Sequence, residues 1–197
     1  MGDLAVNIRA RAGSNPGQVV DAQNLWNRCL DGEQPAWRAL HAQYYPVARG
    51  FLRRLGVPPS NVEDACQEVF VQVFRYLARF ERRADFKTWL YKLCITQAGR
   101  GRRRAALAAA LRRVLGRGDA PAAADPHEWS EGEVQRRIQG VLAAMKPMHR
   151  TVFVLYELEA CTGQEIAQVT GLPAGTIRRR LHDARAEFAS LLEGSGT

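Results

Sequence analysis

The chain has 197 residues, of which 46% are hydrophobic and 24% charged, enough for one folded domain or two small ones and unlike a disordered or fibrous sequence. A formal net charge of +8 with a pI near 9.9 favours a polyanionic partner, nucleic acid ahead of an acidic membrane surface, because each basic side chain that neutralises a phosphate releases a condensed counterion.

Residues 1–20 are polar and rich in Gly, Asn and Pro, and read as a mobile tail. From Asp21 to Leu55 the pattern is helical, with Leu25, Trp26, Cys29, Leu30, Trp37, Leu40, Tyr44 and Val47 as core candidates, and it is stopped by Gly56 and the pair Pro58-Pro59. Ser60 and Glu63 then have the spacing of a capping box that opens a helix of about 20 residues. Its inner stripe is Val62, Ala65, Cys66, Val69, Phe70, Val73 and Leu77, which leaves Asp64, Gln67, Glu68, Gln72 and Arg75 outside. After the loop ERRA, Asp85 caps a helix whose inner face is Phe86, Trp89, Leu90 and Leu93, with Lys87 and Tyr91 facing the opposite way.

Composition then changes sharply. Residues Arg100 to Arg117 hold seven arginines and no acid, and Asp119 to Glu133 hold five acids and no Lys or Arg. AALAAALRRVL reads as helical and DAPAAADP does not, so residues 105–133 are expected to form a flexible linker between a domain at 21–104 and another at 134–193 that move independently. In the second, the helical pattern resumes at Val134, breaks near Pro147 and returns in HRTVFVLYELEA. Thr162 and Glu165 form a second capping box, Gly171 closes that helix, and Pro173 sits where the next begins. In GTIRRRLHDARAEF, Ile177, Leu181, Ala184 and Phe188 make an apolar stripe that continues to Leu191 and Leu192. Arg178, Arg179, His182 and Arg185 point away from it and Arg180 lies at its border. Helix, tight turn, helix with a cationic outer face is the arrangement of a helix-turn-helix whose second member enters the major groove.

Chemistry-bearing motifs are missing. The four cysteines, Cys29, Cys66, Cys94 and Cys161, are far apart with no CxxC pair, and the four histidines are scattered, so no metal site and no cofactor are expected. With no Gly-rich phosphate loop, HExxH or nucleophile-base motif, the chain is not expected to be an enzyme. No apolar run approaches the roughly eighteen residues that span a bilayer, and MGDLAVNIRARAGSNPG lacks the core of a signal peptide, so no membrane insertion and a cytoplasmic location are expected.

Two segments resemble one family. NVEDACQEVFVQVFRYLARFERRADFKTWLYKL is similar to region 2, and MKPMHRTVFVLYELEACTGQEIAQVTGLPAGTIRRRLHDARAEF to region 4, of the sigma-70 family of bacterial RNA polymerase sigma factors, in its extracytoplasmic function group. The resemblance implies an all-α chain with a region 2 helical bundle and a region 4 helix-turn-helix, acting as a promoter-specificity subunit. Its partners would be core RNA polymerase, promoter DNA and an anti-sigma factor. Asp64, Gln67, Glu68, Gln72 and Arg75 resemble the surface that docks on core polymerase. Phe80, Arg82, Arg83, Asp85, Lys87, Tyr91 and Thr96 fall in the segment that reads and traps the −10 element; Phe86 and Trp89 read as core that shapes it. Unpaired bases need a stacking surface and a cationic path, and Arg82, Arg83 and Lys87 would supply the path. Thr176, Arg178, Arg179, Arg180, His182 and Arg185 would face the −35 duplex. Three positions depart from the family pattern: Thr96 stands where an asparagine is frequent, Asp183 where a base is common and Arg179 where serine is common, so base preferences are expected to differ. The alternatives weighed are a stand-alone helix-turn-helix regulator, which leaves EDACQEVF and FKTWLYKL unexplained, and a sigma-like decoy that binds an anti-sigma factor, which has no need of the arginine face.

Overall fold

The computed structural model describes residues 22–80, 85–114 and 132–194, all helices and short connections. The expected tail and the acidic half of the expected linker lie outside the described residues. Among the described residues there are eight α-helices: α1 (Ala22–Leu30), α2 (Gln34–Arg54), α3 (Pro59–Tyr76), α4 (Phe86–Val114), α5 (Glu133–Ala144), α6 (Pro147–Phe153), α7 (Gly163–Thr170) and α8 (Ala174–Gly194). A 3-10 turn, Leu77–Arg79, ends α3, and a π-turn, Val154–Leu158, extends α6.

The N-terminal lobe is α1–α4. The α1–α2 reversal uses Gly32 at φ 83°, a left-handed conformation that glycine adopts without steric cost. Leu40, Phe51, Leu52, Val62, Cys66, Val69, Val73, Leu90 and Cys94 are buried between α2, α3 and α4. At one end Trp26, Tyr44, Phe80, Phe86 and Trp89 form an aromatic cluster with ring centroids 4.5 to 5.8 Å apart. Most of the expected stripe positions are buried, but Leu30 is 48% exposed: α1 ends there, and the turn points it outward. The Ser60–Glu63 capping box does not form. Helix α3 starts at Pro59 without a side-chain cap, Ser60 contacts Asn61, and Glu63 turns to α2, where it accepts from the Tyr45 hydroxyl and from Arg49 Nε at 2.7 Å. Two cross-helix partners outcompete one local cap.

Helix α4 is continuous from Phe86 to Val114, a rod about 43 Å long, so AALAAALRRVL is helical as expected over its described part, residues 105–114. In the C-terminal lobe, α5–α8 enclose Leu142, Met145, Val152, Val154, Leu155, Ile166, Ile177, Leu181 and Ala184, with Phe153 stacked on Phe188 at 4.6 Å.

The two lobes touch in this arrangement, a contact that the linker composition does not suggest. Arg150 of α6 is buried and donates to the Leu55 carbonyl at the end of α2 (2.7 Å), as well as to Ala143 and Met145 of its own lobe (2.7 and 2.8 Å). Gly56, at φ 78°, lies against that guanidinium so closely that a Cβ there would stand 1.7 Å from Nη1. All four cysteines are free and buried, and burial pushes every thiol up, Cys66 to about 11 and Cys161 to about 12.

Candidate nucleic-acid and polymerase interfaces

The helix-turn-helix is built by its caps. Thr162 Oγ1 accepts the Glu165 N–H (3.2 Å) while the Glu165 carboxylate accepts the Thr162 N–H (2.7 Å), the reciprocal pair that its spacing predicts. Gly171 ends α7 at φ 71°, its N–H donating to the Ala167 carbonyl. The chain is thereby turned at Leu172-Pro173 into α8, whose buried residues are Ile177, Leu181 and Ala184.

On the other face Arg178, Arg179 and His182 are exposed, with Thr176 and Arg180 half-buried beside them. Arg180 keeps Nη1 buried without a hydrogen-bond partner, as its border position suggests. Arg185 is exposed as expected and also has a partner. Its Nε and Nη2 both donate to Glu157 Oε1, at 2.8 and 2.5 Å, and its guanidinium stands 5.3 Å from the Tyr156 ring centroid. It therefore ties the recognition helix to the end of α6 while its side chain stays 53% exposed.

A second tie sets the same helix. Glu187 of α8 accepts the Lys146 N–H at the start of α6 (2.9 Å) and lies 2.5 Å from His149 Nδ1. Burial alone would raise the Glu187 carboxyl, but the Lys146 N–H and His149 outweigh it and hold it below the usual range. A depressed carboxyl stabilises the fold above the ordinary carboxylate pKa, and that contribution is lost as pH falls through the lower folded value. Glu187→Gln is thus expected to cost about 1 kcal/mol at neutral pH and to flatten the acid limb of stability below pH ~4.5, read by urea denaturation across pH 3–7. Parallel acid limbs in parent and variant would rule this tie out.

In the N-terminal lobe, Phe80 packs edge-on to Trp26 (5.2 Å) and Phe86, and Trp89 lies half-buried 5.2 Å from Phe80. Asp85 is exposed just before α4, and Thr96 is exposed with its hydroxyl donating to the Lys92 carbonyl at 2.9 Å. Arg82 and Arg83 lie outside the described residues. Tyr91, expected on the outward face, is 1% exposed: its ring packs 4.2 Å from Phe51 and its hydroxyl donates to Glu159 of the C-terminal lobe. Helix α4 is covered on both sides, on one by α2 and α3 and on the other by the second lobe, and sequence periodicity shows only the first. Lys87 is half-buried, 3.6 Å from the same Glu159 carboxylate.

On α3, Asp64, Gln67, Glu68 and Arg75 are exposed and Gln72 partly so, all on the outward side as expected. Beside them lie apolar groups that the sequence reading missed: Phe74, 66% exposed, with Val71 and Tyr76. Phe74, Phe70, Trp37 and His41 line an open groove of about 610 Å³ between α2 and α3. Phe74 falls outside the Val62–Leu77 stripe, and an off-stripe aromatic on an otherwise polar face was the signal available.

A capped helix-turn-helix with a cationic second helix, beside a separate helical lobe with an aromatic cluster, defines a DNA-binding protein of two lobes. Residues 40–108 match the sequence profile "Sigma-70 region 2" and residues 129–188 match "Sigma-70, region 4". The chain is 30% identical over 167 residues to RNA polymerase sigma factor CarQ of Myxococcus xanthus, a match that covers 84% of this chain and 94% of that one. It is 28% identical over 177 residues to the ECF RNA polymerase sigma-E factor of Escherichia coli (strain K12), covering 85% and 92%. Among solved structures, CnrH in complex with the cytosolic domain of CnrY superposes with a TM-score of 0.61 at 24% identity, over 86% of this chain and 96% of that one. The sigma factor RpoE, solved with the anti-sigma factor NepR from Bartonella quintana, gives 0.65 at 18% identity over 79% and 96%. The chain belongs to the sigma-70 family of RNA polymerase sigma factors, in its extracytoplasmic function group. It is a promoter-specificity subunit of transcription initiation, not an enzyme. No described helix is long and apolar enough to cross a membrane.

Proposed function

We propose that this sigma factor divides promoter recognition between its lobes. The C-terminal lobe reads the −35 duplex with Arg178, Arg179 and His182, helped by Thr176 and by the accessible side of Arg180, while Arg185 holds the helix at its angle. The observation that carries this reading is the exposed Arg178-Arg179-His182 face on a helix that follows the doubly capped α7 and is held by two carboxylate ties. The N-terminal lobe traps unpaired −10 bases against the aromatic cluster around Phe80 and Trp89, with Lys87, Arg82 and Arg83 along the backbone path and Asp85 and Thr96 at its borders; stacking supplies roughly 1 to 3 kcal/mol per base. Core polymerase docks on the α3 face of Asp64, Gln67, Glu68, Gln72 and Arg75. The chain works in the cytoplasm, where an anti-sigma factor, the class of partner that accompanies RpoE in its solved complex, restrains it.

The test is to mix the purified chain with core polymerase and a promoter library and map initiation. Site-specific starts with a shared upstream element are expected; starts no different from those of core polymerase alone would overturn the reading. Within the same assay, the exposed positions Asp64 and Gln67 allow a charge test. Asp64→Arg and Gln67→Arg are each expected to weaken core binding about tenfold with unchanged thermal stability, and undiminished pull-down of core polymerase would exclude docking through α3.

A further inference from the structure

The C-terminal lobe places one carboxylate inside the N-terminal lobe. Glu159 ends the π-turn, its side chain only 5% exposed, and is followed by Ala160 at φ 55°, a conformation costly for a residue with a Cβ. The strained corner aims the carboxylate at three donors, none of them from its own lobe. Oε2 accepts from the Tyr91 hydroxyl and lies 3.6 Å from Lys87 Nζ; Oε1 accepts from Arg54 Nη2. Burial, the Glu159 charge and this hydrogen bond push the Tyr91 phenol far above its usual range, so it stays a donor. Two of these donors, Lys87 and Tyr91, belong to the segment assigned above to the −10 element.

We infer that Arg54, Lys87 and Tyr91 form an anion site for a nucleic-acid backbone phosphate, and that Glu159 occupies it in the free chain as an internal competitor. A guanidinium, an ammonium and a phenol converging on one carboxylate offer the donor set a phosphate needs. The site cannot hold both anions, so a strand binds there only after the lobes part. The Arg178-Arg179-His182 face and the outward face of α3 stay exposed in the closed form, so closure blocks the −10 side alone and leaves docking on polymerase open. This inference rests on the −10 assignment of α4.

The test uses the full chain. Small-angle scattering measures lobe separation, and fluorescence anisotropy measures binding of a labelled random-sequence single-stranded DNA at fixed moderate salt. Glu159→Gln removes the competing charge and is expected to enlarge the radius of gyration and to tighten strand binding roughly three- to tenfold, as the competent open fraction rises. Glu193→Gln, the same charge change at an exposed position of α8, should give less than about 1.5-fold, which separates the latch from simple charge gain. Arg54→Gln breaks the latch from the other side, so it should open the chain without tightening strand binding. It serves as a second opening variant if Glu159→Gln loses the helical circular dichroism of the parent. Unchanged scattering in both variants would overturn the latch. Opening by Glu159→Gln with no gain in strand binding over Glu193→Gln would overturn the anion site and count against the −10 assignment, while leaving lobe closure standing.

Discussion

Arg150→Met is expected to remove about 3 to 5 kcal/mol of folding stability. Methionine matches the aliphatic stem but donates nothing. Three carbonyls, of Leu55, Ala143 and Met145, would be left facing an apolar side chain, and each buried acceptor without a partner costs roughly 1 to 3 kcal/mol. Two of the three close the end of α5, so the variant also uncaps that helix. Burial pulls the Arg150 guanidinium down to about 10, still charged at neutral pH, so the native contacts are charge-assisted. A thermal scan should show the midpoint falling by about 10 °C. A fall under about 3 °C would mean that water replaces the guanidinium and that the carbonyls are not sealed.

The double variant Arg178→Ala, Arg179→Ala should have the largest functional effect. Each bidentate contact to a guanine is worth about 1 to 3 kcal/mol, so initiation at promoters that depend on the −35 element should fall about 100-fold or more. The salt slope of duplex binding should drop by up to about two. Both side chains leave the buried stripe, so stability should match the parent. Equal initiation by parent and double variant at moderate salt would show that the recognition face is elsewhere on α8.

The parts of this fold that were legible beforehand are those decided within a few residues. The Thr162–Glu165 box, the left-handed Gly171 and the Ile177-Leu181-Ala184 stripe all depend on local spacing, and all three formed as read. Misreadings occurred where a distant element competes. Ser60 and Glu63 have the same spacing as Thr162 and Glu165, yet Glu63 is drawn away by Tyr45 and Arg49, 18 and 14 residues earlier in the chain. Periodicity marks one buried face of α4 and so puts Tyr91 outside; the second face is covered by Glu159, 68 residues further on. The Glu157 partner of Arg185 is hidden from local patterning for the same reason, since it lies 28 residues earlier. Helix faces and caps are local properties; the partner of a charge is not.

The depth of the four thiols bears on what kinds of signal this protein can receive. Nucleophilic attack on peroxide or on a disulfide requires an exposed thiolate, and here every sulfur is both covered and held protonated near neutral pH. Oxidants and electrophiles that act through thiols therefore have no handle on the cysteines of the folded chain. The same insulation has a practical side. A cysteine introduced at an exposed site such as Glu193 would be the one thiol that maleimide dyes modify in the native state, so lobe motions can be followed by fluorescence without first stripping the protein of its own sulfur.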